Sequence, residues 1–181
     1  MGTVIRTVLG DIDPAQLGPT NMHDHLIRED GTVEVLMDKD FLMESQDVAA
    51  RELEDFYLHG GRGFVDAQPL NCGRNIEKYV TIAQRVPGVH VVATTGFHKG
   101  QFYLASHWVH DYSINEMVDL LLPEIYDGIE INEYNGPFVK RSKARAGCVK
   151  AGTGYQKISP VEEKMLRASA RVQRATGVLL L

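Results

Sequence analysis

The chain has 181 residues, 44% apolar and 24% charged, which suits one globular domain with a sizeable core. A formal net charge of −5 argues against nucleic acid or an anionic membrane surface as partner. No apolar run is long enough to span a bilayer and the N-terminus lacks a charged-then-apolar signal pattern, so the expected compartment is the cytoplasm.

Residues 3–9 alternate and are rich in β-branched side chains, the pattern of a short strand. Gly10, Asp13-Pro14 and Gly18-Pro19 then mark turns, so 1–19 is expected to form a small hairpin or cover ahead of the main domain. The next strand ends in Asn21-Met22-His23-Asp24-His25. Residues two apart on a strand share a face, so His23 and His25 should aim two imidazoles at one spot while Asp24 points away. Two neutral imidazoles side by side are half of a site for a divalent transition metal. A His-x-His pair also arises by chance, so the spacing alone leaves both readings open. The mixed, acidic stretch 28–43 reads as a loop or a short helix.

From Ser45 to His59 the pattern is helical, with Ala49, Leu53, Phe56 and Tyr57 on one face and Gly60-Gly61 as the stop. Residues 63–67 form a short buried strand that carries Asp66 near its end. Arg74 to Val86 is helical again, and His90 to Thr95 is the next strand, closed by Gly96. A loop follows that gathers His98, Lys99, Phe102, Tyr103, His107 and Trp108. Ser113-Ile114-Asn115-Glu116 is a capping box that opens an apolar-striped helix, in which Pro123 calls for a kink or a break. The basic run 140–145 reads as a solvated loop, with a phosphate-binding patch as the other option. Residues 146–151 form a strand ending at Lys150, and Ser159-Pro160-Val161-Glu162 opens a helix that Gly177 closes. Val178 to Leu181 begins a fifth strand of the series. Cys72 and Cys148 form no C-x-x-C pair and read as reduced and buried. His59, His90 and His110 fit no ligand spacing and read as surface or element-end residues.

Strands alternating with helices imply parallel pairing with right-handed crossovers, in an open doubly wound sheet or in part of a (β/α)8 barrel. No Gly-x-Gly-x-x-Gly follows a strand, which weakens the dinucleotide form of the open sheet. His23, His25, Asp66, His98, Lys99 and Lys150 all fall at or just past strand C-termini, where both architectures keep their chemistry.

Residues 7–26, together with Val65-Asp66-Ala67, Gly73-Arg74-Asn75, 92–99, 145–152 and 159–164, resemble the phosphotriesterase family of the amidohydrolase superfamily, and the resemblance runs on through Thr176-Gly177-Val178. The resemblance implies an α/β fold: a partial (β/α)8 barrel of four β/α units plus a fifth strand, preceded by the hairpin, in one incomplete domain over 1–181. It implies a hydrolase using two divalent metals, typically zinc, whose bridging hydroxide attacks a lactone or an organophosphate ester. By the same resemblance His23 and His25 are metal ligands. Lys150, carboxylated by carbon dioxide, is the bridging and catalytic ligand. His98, Lys99, Tyr103 and Trp108 line the substrate entrance, though a loop packing its own aromatics is an equal reading of that segment. Family members often carry Glu between the two histidines where this chain has Asp24, a residue expected to point off the site.

The sequence departs from the family pattern after Val178, where Leu179-Leu180-Leu181 stands in place of a proline-containing run into a histidine ligand. The two histidines and the aspartate that would complete the second metal's ligands are absent, and a full barrel needs about 250 residues. The expectation is therefore a truncated chain with part of the site, acting on a small-molecule lactone or ester. The alternatives are a catalytically inactive remnant that binds or pairs half barrels, as a homodimer or with a separate C-terminal half, and an amide hydrolase or deaminase on the same scaffold.

Overall fold

Every expected strand forms, and the five parallel strands pair in chain order. The structure, a computed structural model, describes residues 2–181. Strands β1 (Ile5–Thr7) and β2 (Gly10–Ile12) make an antiparallel hairpin. Five parallel strands follow: β3 (Thr20–Asp24), β4 (Gly63–Asp66), β5 (His90–Phe97), β6 (Cys148–Ala151) and β7 (Leu179–Leu180), in the spatial order β3-β4-β5-β6-β7. A doubly wound sheet reverses its strand order at a switch point; this one never does. The sheet is half of a (β/α)8 barrel, with β3 and β7 as its edges.

Between β3 and β4 lie the one-turn helix α1 (Val33–Met37) and then α2 (Gln46–Leu58). Helices α3 (Ile76–Arg85), α4 (Ile114–Tyr126) and α5 (Pro160–Thr176) fill the later crossovers. Their ends follow local chemistry. Ser113 and Ser159 form capping boxes with Glu116 and Glu162, and Gly177 closes α5 in the left-handed region at φ 75°. Pro123 neither ends α4 nor splits it; the helix runs through it to Tyr126.

Strand β5 continues past Gly96, where a stop was expected, to Phe97. Gly96 sits at φ 99°, and a Cβ there would lie 2.2 Å from the Lys150 carbonyl oxygen. The glycine therefore permits close approach of β5 to β6 instead of ending the strand.

The main core lies between sheet and helices and includes Leu53, Tyr79, Ile82, Val91, Phe97, Leu121, Ile125 and Met165. The other face of the sheet carries a smaller cluster, Val65, Val92 and Cys148, against which Ile5 and Leu181 pack. Both cysteines are free and buried. A buried ion cluster locks the upper loops. Arg74 donates to both Glu124 oxygens at 2.9 Å, to Glu133 Oε1 at 2.9 Å and to the Thr94 carbonyl at 2.9 Å. The basic run is pinned internally, with Arg141 bound to Gly128 and Tyr134 and Arg145 to Asp11. No helix among the described residues is long and apolar enough to cross a membrane.

Candidate active site

The C-terminal ends of β3, β4, β5 and β6 converge on one group of polar side chains. On β3, Met22 shares a cavity at the opposite end of the sheet with Val65, Val92 and Cys148. Strict alternation would turn His23 to the other face. A shift in the β3–β4 register falls between Asn21 and Asp24, and His23 lies close enough to Lys150 for that charge to act on it. The two imidazoles meet edge to face with centroids 5.8 Å apart. His23 is exposed; partial desolvation, then Lys150, lowers its pKa, which favours the neutral ring. Asp24 accepts from Asn21 Nδ2 and from the His25 amide.

Asp66, fully buried at the end of β4, holds His25. Its Oδ1 lies 3.5 Å from His25 Nδ1, its Oδ2 accepts the Leu26 amide at 2.7 Å, and Oδ1 also accepts the Gln68 amide at 2.9 Å. A carboxylate on Nδ1 leaves Nε2 free to ligate.

Lys150 is 6% exposed, and its Nζ donates to the Ala67 carbonyl at 2.8 Å. Burial lowers its pKa, against the opposing pull of Cys72, Asp66 and Glu34. The bias toward the neutral amine thus exists before any metal arrives. His23, His25 and Lys150 are chemically suited to a divalent metal: two imidazole nitrogens, one ring turned by a carboxylate, and an amine whose pKa burial lowers. Among the described residues no three His, Cys, Asp or Glu side chains are grouped to hold a metal.

The loop after β5 brings His98 to the same group but turns other residues to packing. His98 Nδ1 accepts the Lys99 amide at 2.7 Å, and burial, then Lys150, pushes its pKa down to about 3. Tyr103 is buried; its hydroxyl accepts the His98 amide at 2.9 Å and donates to the Leu70 carbonyl at 3.1 Å. Trp108 packs on Phe97, His107 and Tyr112 with centroids 6.4, 4.7 and 4.8 Å away. His107, half-buried, has its pKa pushed down to about 4, first by burial and then by His110. Lys99 is half-buried at the loop's edge.

Two residues of the group had no signal in the sequence. Glu34 on α1 is 3% exposed, and neither of its carboxylate oxygens has a partner among the described residues. Arg28 is buried, stacks 5.0 Å over Phe41 and reaches Gln68 Oε1 at 3.4 Å. Both lie in the acidic, aperiodic stretch after β3, where no spacing marks a buried charge.

The profile of the phosphotriesterase family matches residues 3–180. A phospho-furanose lactonase of Mycoplasmopsis synoviae is 44% identical over 97% of this chain and 50% of its own length. The crystal structure of an amidohydrolase from Mycoplasma synoviae superimposes with a TM-score of 0.94 at 43% identity, over 98% of this chain and 51% of that one. A lactonase from Listeria monocytogenes superimposes with a TM-score of 0.81 at 27% identity, over 98% of this chain and 56% of that one. The chain spans about half the length of the curated relatives it matches.

Proposed function

The chain belongs to the phosphotriesterase family, and from that premise we propose that it carries part of the site of a metal-dependent lactone hydrolase, with His23, His25 and Lys150 as metal ligands. The observation that carries this reading is the paired imidazoles, 5.8 Å apart, close to a buried lysine whose pKa burial lowers. A name shared by relatives supports the substrate class: two curated proteins at 40% and 44% identity are called phospho-furanose lactonases. The metal, zinc by the chemistry of this donor set, supplies a Lewis acid and lowers the pKa of water.

The chain's own residues do the rest. His23 stays neutral and offers a ring nitrogen. Asp66 holds the His25 ring by its Nδ1 side and so fixes which nitrogen is offered. Neutral Lys150 adds carbon dioxide: a C–N bond forms, one proton leaves, and the amine becomes a carbamate with two ligating oxygens. His98 and Lys99 stand at the substrate entrance, while Tyr103 and Trp108 shape it from behind by holding the loop.

The test is a zinc titration with lactone and phosphotriester assays on the same preparation. Zinc bound by the chain and lost in His23→Asn and Lys150→Met is the expected result, and any turnover should favour the lactone over the phosphotriester. Zinc content unaffected by either substitution overturns the ligand assignment. A second reading, binding without turnover, is favoured by the lack of any three-residue His/Cys/Asp/Glu group among the described residues. It predicts zinc binding with no hydrolysis of either ester.

A further inference from the structure

Glu34 is a charged group of the site to which the proposed chemistry gives no task. A carboxylate removed from water and left without a hydrogen bond is costly, and native proteins keep few of them. Facing it is His98. The Lys99 amide occupies His98 Nδ1 as a donor, so the neutral ring carries its proton on Nε2. Nε2 lies 3.7 Å from Glu34 Oε1, too far for a direct hydrogen bond, and has no other hydrogen-bond partner among the described residues. The separation is too short to hold an oxygen between the two atoms, but one seated beside the pair, about 2.8 Å from each, would bridge donor and acceptor. A hydroxyl accepts on one side and donates on the other; an ether, an ester oxygen or a phosphoryl oxygen can only accept.

We propose that Glu34 and His98 form a hydroxyl-recognition subsite beside Lys150, which selects hydroxylated lactones over unsubstituted ones. The His98 side chain keeps 16% of its surface exposed against 4% for Glu34, so of the two it is the more open to an arriving hydroxyl. The Glu34 side chain, restrained by no hydrogen bond of its own, then turns to accept from it. Burial raises the Glu34 pKa, and Arg28, buried beside it, opposes that rise. The inference takes its kind of ligand from the lactonase reading, while the subsite itself rests on the unmatched donor and acceptor.

The test is an NMR titration of the full ¹⁵N-labelled chain with ribonolactone and with γ-butyrolactone, following His98 Nε2, and with turnover assayed on the same samples. Ribonolactone is expected to shift the Nε2 signal and to bind at least about tenfold more tightly than γ-butyrolactone. Glu34→Gln, which keeps the side chain's shape, and His98→Phe should each remove most of that preference. Equal binding of the two lactones, binding of neither, or a preference that survives Glu34→Gln overturns the subsite. Equal hydrolysis of both lactones would overturn the subsite and keep the hydrolase reading. Preferential binding without turnover would keep the subsite and overturn the hydrolase reading.

Discussion

Lysine in water is a cation, and a cationic ammonium has no lone pair for a metal. What makes Lys150 usable is where β6 leaves it: nearly out of water, with one hydrogen bond to a backbone carbonyl. Its place at a strand end was legible in the sequence, but the ligand role proposed for it rests on the family resemblance, because an isolated strand-end lysine ordinarily reaches solvent. Glu34 was illegible for a related reason: burial of a charge on a single turn of helix depends on the tertiary fold, not on a local period. Glu133 gives a residue-scale prediction. Burial lifts its pKa from 4.5 to about 7, against the pull of Arg74. Between about pH 5 and pH 7 the folded chain therefore holds a proton that the unfolded chain has lost, so this group's contribution to stability falls as pH rises across that window. Thermal unfolding followed across it should show the decline in the wild type and a flatter profile in Glu133→Gln.

At the scale of elements, the helices were the most legible part, because serine caps, capping-box glutamates and stop glycines are local signals. Pro123 and Gly96 were harder, since each has a local meaning that tertiary packing replaced. Gly96 stands inside a strand because a side chain there would collide with the Lys150 backbone. Gly96→Ala should thus destabilise the chain by at least about 2 kcal/mol in denaturant unfolding, from steric conflict together with a positive φ. It should also disturb Lys150. The Arg74 cluster joins the β4–α3 loop to α4 and to the segment around Glu133. Arg74→Met strands Glu124, fully buried, and removes the partner of Glu133, and should cost about 3–5 kcal/mol by the same measurement. A loss below about 1 kcal/mol would mean that the cluster holds nothing together.

At the scale of the molecule, sequence periodicity predicted strands and helices but could not separate an open sheet from a barrel. Strand order decides that, and order depends on pairing between residues far apart in the chain. The resulting half barrel leaves β3 and β7 as open edges, and a cavity of about 540 Å³ lies beside β3 between His25 and α2. The proposed ligands sit one strand in from the far edge and on the near edge itself, so the metal half-site spans four strands, β3 to β6. Its integrity tests the sheet as a whole. The most direct measurement is ¹³C NMR of the chain given zinc and ¹³C-bicarbonate. The account predicts one carbamate carbon signal per chain, absent in Lys150→Met and weakened in His23→Asn. No carbamate signal in the wild type, or the same signal in Lys150→Met, would contradict it.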